Sequence, residues 1–312
     1  MPRLAHVNGR YLPLKDAAVS VEDRAFLFAD GVYEVILALG ARLVDLKAHL
    51  DRLGRSLMAL DIPWPASRRA MEQIMLRLVR AARLPASTLY LQVSRGVAPR
   101  DHKFPRPRPR PSLVMFVRPF SVPALVARQM RGVRVALVAD ERWKRCDIKS
   151  VSLLANVLAK EQAHRADAFE AWMVDADGRI TEGSSSTAFI VDRTGALVTR
   201  PLTSAILPSI TRDVVLALAR ARQIPVREEA FSAADVAAAR EAFLCSTTSG
   251  VTPVVAVGGQ VVGDGRPGPL TRRLIAAHWA HMARQTQTPI PPEWREDPRD
   301  SSDTATKARS AP

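Results

Sequence analysis

The chain has 312 residues, of which 47% are hydrophobic and 24% charged, so it can form two domains with sizeable cores and is not a largely disordered protein. Its 45 lysines and arginines exceed its 31 aspartates and glutamates by 14, which would suit an anionic partner, but only 5% of the residues are aromatic and able to stack on bases. We expect a cytoplasmic protein, because no apolar run approaches the ~18 residues of a membrane span, the N-terminus does not resemble a secretory signal, and two cysteines cannot form a disulfide framework.

The first half of the chain is predicted to combine short strands with two amphipathic helices. The dipeptide Asn8-Gly9 accepts the two positive φ angles of a type I′ turn and predicts a hairpin. Apolar residues at helical spacing predict helices over residues 47–60 and 67–83. Extended apolar runs predict strands over residues 5–7, 11–12, 31–37, 42–46, 88–94 and 112–120. The alternating prolines and arginines of residues 105–111 predict an exposed loop, because proline disfavours both helix and central strand.

The second half reads as a second domain. We interpret residues 1–121 as a small N-terminal domain, 122–132 as an interdomain linker with a short helix, and 133–285 as the larger C-terminal domain. Strands are predicted over residues 133–138, 170–174, 179–181, 186–191, 242–245, 251–257 and 260–262, and helices over 151–164, 209–223, 233–240 and 268–284. Residues 286–312 lack apolar periodicity and are rich in polar residues and proline, which predicts a disordered tail.

Common catalytic signatures are missing from the sequence. The histidines and cysteines do not have the spacing of a zinc site. There is no G-x-S-x-G elbow and no Walker loop. These absences argue against most hydrolases and nucleotide-driven enzymes.

Three other features have the chemistry of a cofactor site. Lys149 precedes an apolar helix, and a lysine buried at such a junction loses its proton more easily and can form a Schiff base. Glu182 lies among five hydroxyl residues and could hydrogen-bond a ring nitrogen, although a polar turn has the same composition. The clusters 208–211 and 246–250 could bind an anion or could be helix caps and turns. Pyridoxal phosphate requires a lysine, a carboxylate and a phosphate cradle together.

These motifs occur over residues 3–284 in an order that resembles the fold-type IV, or class IV, pyridoxal-phosphate aminotransferases. The similarity is greatest to their D-amino-acid branch. Gly31–Val35 resembles the N-terminal site strand of that family, and His49 and Arg52 match its basic helix on the phosphate side. The resemblance implies an α+β fold, with a small N-terminal α/β two-layer sandwich and a larger C-terminal α/β pseudobarrel.

The resemblance also implies the roles of the cofactor-binding residues, with pyridoxal 5′-phosphate as the cofactor. Lys149 is the catalytic residue that forms the Schiff base, and the carboxylate of Glu182 keeps the pyridine nitrogen protonated. Leu207 packs on a face of the ring. The phosphate-side set consists of Arg52, Ile210, Thr211, Ser246 and Thr247.

Substrate recognition is implied by residues 95–105, which resemble the D-amino-acid branch. Arg100 and His102 would hold the substrate α-carboxylate together with Tyr33, and Tyr90 would lie nearby. In that family Arg100, His102 and Tyr90 come from the neighbouring subunit, so the resemblance implies a homodimer with a composite active site. The prolines and arginines after Phe104 depart from the family pattern.

The expected function is transamination between a D-amino acid, such as D-alanine or D-glutamate, and a 2-oxo acid, 2-oxoglutarate or pyruvate. Two alternatives share the fold: an aminodeoxychorismate lyase, which does not need a 2-oxo acid, and a branched-chain or (R)-amine transaminase. A basic nucleic-acid-binding protein is a more remote alternative, and salt-dependent retention on DNA would reveal it. We expect small-molecule substrates and neither a metal, a nucleic acid nor a membrane as partner.

Overall fold

The computed structural model describes residues 3–295, and its first part is an antiparallel sheet of six strands in the spatial order β2-β1-β6-β5-β3-β4. The strands are β1 (Leu4–Val7), β2 (Arg10–Pro13), β3 (Gly31–Leu39), β4 (Arg42–Leu43), β5 (Ala86–Ser94) and β6 (Ser112–Pro119). The hairpin of β1 and β2 turns at Asn8 and Gly9, which have the positive φ angles of 48° and 91° that this turn requires.

Two amphipathic helices cover this sheet, α2 (Leu46–Ala59) and α3 (Arg68–Ala82), and the short helix α1 (Arg24–Phe28) precedes β3. The helices bury apolar side chains at three- and four-residue spacing, including Leu50, Leu53 and Leu57 on α2. Ser67 caps α3 by accepting a hydrogen bond from the backbone N–H of Ala70 at 3.2 Å. A two-layer core therefore forms between helices and sheet.

Helix α4 (Val122–Arg131) leads to a mixed nine-stranded sheet. Its strands are β7 (Val133–Ala139), β8 (Glu170–Val174), β9 (Ile180–Gly183), β10 (Thr187–Val191), β11 (Leu197–Thr199), β12 (Val226–Glu228), β13 (Glu241–Ser246), β14 (Gly250–Val257) and β15 (Gln260–Val261). The spatial order is β12-β11-β10-β13-β14-β7-β8-β9, with β15 beside β14. The remaining helices are α5 (Leu154–Arg165), α6 (Ile210–Ala221), α7 (Ala233–Ala238) and α8 (Pro269–Thr286). The predicted α+β class is confirmed, whereas the division into domains stays a prediction.

The two sheets meet where β3 passes the segment before α5. β4 pairs only with Ala38 and Leu39, which leaves the start of β3 free on that side. Tyr33 N–H donates to the carbonyl of Lys149 at 3.0 Å, and Val151 N–H donates to the carbonyl of Gly31 at 3.0 Å. These bonds set the backbone of Lys149 against the strand that carries Tyr33.

Three predictions differ from the structure in extent. The helix expected over 151–164 begins at Leu154. The strand expected over 42–46 ends at Leu43, because Asp45 adopts a left-handed conformation and α2 begins at Leu46. The tail expected from residue 286 is ordered at its start: a 3₁₀ turn at Pro292–Trp294 buries the Trp294 indole against the core of the second sheet. The rest of the predicted tail, residues 296–312, lies outside the described residues. No helix in residues 3–295 is long and apolar enough to cross a membrane.

Candidate active site

A cleft with about 1000 Å³ of empty space, open to solvent, lies where the two sheets meet. Seven of the residues predicted for the site line it: Tyr33, Arg52, Lys149, Glu182, Leu207, Ser246 and Thr247. These residues come from β3, α2, the segment before α5, β9, the segment before α6, and the end of β13 with its following turn. The fold thus brings together side chains that are up to 214 residues apart in the chain.

Lys149 places its amine inside this cleft. The side chain is half-buried, and its Nζ lies 4.2 Å from the centre of the Tyr33 ring. Its backbone is held by Tyr33 and by Ser56, whose Oγ accepts from the Lys149 N–H at 3.2 Å. An amine fixed in this way can act as a nucleophile or a base on a bound ligand.

Glu182 presents a buried carboxylate from β9. Its Oε1 accepts from Nη1 of Arg142, and its two oxygens lie 3.1 and 3.2 Å from the Leu207 backbone N–H. Burial raises the pKa of Glu182 to about 7, because the charge of Arg142 only partly opposes the effect of burial. A cationic ring nitrogen beside this carboxylate would favour its charged form.

Arg142 is the main residue that the sequence interpretation missed. Its guanidinium forms a two-point contact with Asp140, with Nε to Oδ1 at 2.9 Å and Nη2 to Oδ2 at 2.8 Å, and also donates to the carbonyl of Ala205 at 3.1 Å. Although burial alone would raise the pKa of Asp140, the bonds from Arg142 and Thr181 lower it. The available signal was an acidic and a basic residue two apart, directly after a predicted strand.

The cleft also has the groups of an anion site. Ser209 lines the cleft and caps α6, accepting from the N–H of Arg212 at 3.2 Å. Ser246 and Thr247 line the cleft from the turn between β13 and β14. The predicted residues Ile210 and Thr211 are buried in the first turn of α6, where backbone N–H groups have no partners within the helix.

Arg52 connects β3 to the segment before α6. It donates from Nε and Nη2 to the carboxylate of Glu34, at 2.8 and 2.7 Å, and from Nη1 to the carbonyl of Pro208 at 3.1 Å. His49 contacts the same carboxylate at 2.7 Å and does not line the cleft. Burial would raise the pKa of Glu34, but the charge and bonds of Arg52 and the bond from His49 bring it down to about 2.

The Glu34 cluster predicts an acid-labile contribution to stability. Because the folded-state pKa of Glu34 is about 2 against an ordinary 4.5, its ionised form adds about 3 kcal/mol to the free energy of unfolding above pH 4.5. This contribution is lost as the pH falls from 4.5 towards 2. In urea unfolding at pH 6, 4.5 and 3.5, the deficit of Glu34→Gln relative to wild type should shrink as the pH falls. Asp51→Asn, which removes the exposed ion pair between Asp51 and Lys47, is the control. An equal deficit for Glu34→Gln at every pH would contradict the assignment of the low pKa to Glu34.

A second buried carboxylate, Glu170, organises the segment after Glu182. It accepts from the hydroxyls of Ser184, Ser185 and Ser186, the last two at 2.9 and 3.0 Å, and its Oε1 lies 3.3 Å from Nζ of Lys160. All three serines line the cleft. The hydroxyl-rich motif of the sequence therefore divides between cleft lining and a structural carboxylate.

The residues predicted to bind substrate are split. Tyr33 lines the cleft, and the ring of Tyr90 stacks on the ring of Tyr33 with 5.8 Å between ring centres. The Tyr90 hydroxyl donates to the side chain of Gln92 at 2.6 Å. Burial raises the pKa of Tyr90 to about 12. Arg100 and His102 are exposed and do not line this cleft, and both contact the ring of Phe28.

Comparison with known proteins assigns the chain to a family. Residues 31–257 match the model of the family described as amino-transferase class IV. The chain belongs to this family. The predicted family and fold are thereby confirmed, and the matched segment contains every residue predicted for the site.

Named relatives cover most of this aminotransferase. It is 37% identical over 268 residues to a D-alanine aminotransferase of Staphylococcus haemolyticus, covering 86% of this chain and 94% of the relative. It is 38% identical over 270 residues to a D-alanine aminotransferase of Bacillus licheniformis, with the same coverage of the two chains. The structure of a branched-chain amino acid aminotransferase of Escherichia coli superimposes with a TM-score of 0.83, at 26% identity, over 92% of this chain and 96% of that one.

The family's cofactor, pyridoxal 5′-phosphate, fits the residues of the cleft. The lysine amine, the buried carboxylate, and the helix N-terminus with its nearby hydroxyls have the chemistry to hold the aldehyde, ring nitrogen and phosphate of that molecule. Another solved branched-chain amino acid aminotransferase, 24% identical with a TM-score of 0.82, is complexed with N-(5′-phosphopyridoxyl)-L-glutamate. In this chain Lys149, Glu182, Leu207 and the α6 N-terminus would hold the cofactor.

Proposed function

We propose that this enzyme transfers an amino group between a D-amino acid, such as D-alanine or D-glutamate, and a 2-oxo acid, 2-oxoglutarate or pyruvate. The observation that carries the proposal is the common cleft of Lys149 and Glu182 in a chain that shares 37% identity with D-alanine aminotransferases. An amine base facing a carboxylate-controlled ring site is the arrangement that amino-group transfer requires.

A few residues of the cleft would carry out the steps of this reaction. Pyridoxal 5′-phosphate supplies an electron sink for the substrate carbon when it is bound. Lys149 removes and returns the proton at the substrate Cα, and Tyr33 lies against its amine. Glu182, held by Arg142 and Leu207, keeps a proton on the ring nitrogen by its negative charge. Ser209 and the first turn of α6 anchor the phosphate and so orient the ring.

The substrate α-carboxylate needs a cation that the described part of this cleft does not offer. Of the arginines that line it, Arg52 is paired with Glu34, and Arg142 with Asp140 and Glu182. We propose that Arg100 and His102 of a second copy supply the missing charge. The exposure of both side chains on the 96–111 loop supports this, and it implies a homodimer with a composite site.

The expected location is the cytoplasm.

Amino-donor specificity tests the proposed function directly. Purified enzyme is incubated with D-alanine or L-alanine and 2-oxoglutarate, and pyruvate is measured. We expect pyruvate from D-alanine only. A preference for L-leucine would favour a branched-chain activity, as named for the Escherichia coli structure. Release of an aromatic amine from aminodeoxychorismate without a 2-oxo acid would favour a lyase.

Replacing Arg100 tests the carboxylate assignment. Loss of a charged hydrogen bond in Arg100→Ala should weaken D-alanine binding by ~1.5–3 kcal/mol, which raises its KM by about 10- to 150-fold. The KM of (R)-1-phenylethylamine, a donor without a carboxylate, should change much less if the wild type accepts it. An equal loss for both donors would mean that Arg100 shapes the loop and does not bind the carboxylate.

A further inference from the structure

The loop that carries Arg100 and His102 is attached to the protein by a buried arginine, Arg24 of α1. Its Nη1 donates to the backbone carbonyl of Asp101 at 2.6 Å. Asp101 is the residue between Arg100 and His102. Its Nε donates to Oδ2 of Asp30 at 2.8 Å. Only 3% of the Arg24 side chain is exposed, although Asp101 and both of its neighbours are exposed.

The same carboxylate ties a second point of the loop. Asp30 also accepts from Nε and Nη2 of Arg95, at 2.7 and 3.0 Å. Arg95 donates to the carbonyls of Leu60 and Asp61, at 2.7 and 3.1 Å, just past the end of α2. Its guanidinium lies 3.6 Å from the centre of the Phe104 ring. Asp101 and Phe104 are therefore both connected to Asp30.

Phe28 extends this contact to the two side chains themselves. Its ring centre lies 4.7 Å from the guanidinium carbon of Arg24 and 5.4 Å from that of Arg100. The His102 ring is 5.3 Å away, centre to centre. Arg24 thus supports the loop at its backbone and, through Phe28, next to both side chains.

We propose that Arg24 is a positioning residue for substrate binding, which holds Arg100 and His102 in the orientation that receives the substrate carboxylate. The inference rests on the role of those two residues in the proposed function. An ion pair with Asp30 alone would not need the contact to Asp101, and a buried ion pair is by itself weak support for stability. The planar guanidinium can serve both acceptors at once, whereas a lysine ammonium cannot match that geometry.

Arg24→Met is the first test. The carboxylate of Asp30 keeps its two bonds from Arg95 in this variant, so no buried charge is left unpaired. We expect the KM of the holoenzyme for D-alanine to rise about tenfold, the scale of a small misplacement of a binding group, with kcat within about threefold. The KM of Arg24→Lys for D-alanine should lie between those of the wild type and Arg24→Met.

Binding without turnover gives an independent readout. Propionate has the carboxylate but no amino group, and its affinity for the holoenzyme is measured by calorimetry. Arg24→Met should weaken propionate binding by about the same factor as it raises KM. Arg108→Met is the control, because it makes the same substitution within the loop itself. The Arg108 side chain is 65% exposed and pairs with Asp61, so the KM and the propionate affinity should stay at the wild-type level.

A double-mutant cycle with Arg100→Ala decides whether Arg24 acts through Arg100. If it does, adding Arg24→Met to Arg100→Ala should raise KM by less than about twofold further. Fully additive effects, or a fall in kcat with unchanged KM, would overturn the inference. Should Arg24→Met not fold, Phe28→Leu replaces it in the cycle, because it removes the ring that contacts both side chains.

The outcomes separate this inference from the proposed function. If the wild type prefers L-leucine, the D-specific function is wrong, and the same cycle is run with L-leucine, which also carries the carboxylate. If Arg100→Ala leaves KM unchanged, the carboxylate assignment fails, and the inference with it. If Arg100→Ala raises KM and both Arg24→Met and Phe28→Leu leave it unchanged, only the inference is wrong.

Discussion

Lys149→Ala should reduce the transamination rate by about 10³-fold or more, because it removes the base that moves the proton at the substrate Cα. The amine of Lys149 lies in the cleft over Tyr33, where it can also bind the cofactor. Steady-state rates with D-alanine and 2-oxoglutarate measure the effect. Lys144→Ala is the matched control, since Lys144 is exposed and does not line the cleft, and its rate should equal that of the wild type.

Chemical labelling checks the same assignment without turnover. The purified protein should be yellow, and borohydride should attach the cofactor covalently to one lysine, which peptide mapping identifies. We expect the label on Lys149. A label on Lys144 or on Lys160, whose ammonium group contacts Glu170, would contradict the assignment.

Glu182→Gln should lower the transamination rate by about 10²-fold while the cofactor stays bound, which is the cost of losing one preorganised electrostatic partner. The amide oxygen can still accept from the N–H of Leu207, and Arg142 keeps its two bonds to Asp140. Only the charge beside the ring nitrogen is lost. The rate and the visible absorbance of the bound cofactor are measured together, and an unchanged rate would remove Glu182 from this role.

The cofactor-free protein should respond to the same substitution in the opposite direction. The pKa of Glu182 is raised from 4.5 to about 7, so the folded state favours the protonated form and stability falls as the pH rises from 4.5 through 7. At pH 8, Glu182→Gln should therefore increase the free energy of unfolding by up to about 3 kcal/mol. Urea unfolding of the cofactor-free protein measures this. A variant that is less active and also less stable would indicate a structural role.

Much of the secondary structure could be predicted from local patterns. The helices α2 and α3 lie within one residue of the predicted limits, because leucine and methionine at three- and four-residue spacing define a buried stripe wherever the helix packs. β4 was shorter than expected, since apolar content alone does not reveal the left-handed backbone of Asp45. Trp294 lies in a segment without apolar periodicity. It is ordered because its large ring packs into the core of the second sheet.

Some residues of the site could be identified from the sequence, and others could not. Lys149 and Glu182 were identified by the order of their motifs, and the structure brings both to one cleft. Arg142, Glu170 and Glu34 were not selected, because a charged residue in a sequence is ordinarily a solvated one. Their burial depends on partners that are distant in the chain, such as Arg52 for Glu34 and Glu182 for Arg142.

The sequence by itself determined the family, because the order of its motifs resembles that family, and the resemblance in turn implied the α+β class and the chemical types that meet in the cleft. Only the tertiary structure decided which charges are neutralised. It showed that Arg52 and Arg142 are occupied by buried carboxylates, and that Arg100 and His102 lie outside their own cleft. The reason is physical: the energy of a charge depends on its solvation and on neighbours brought close by folding, and neither is encoded in a local pattern.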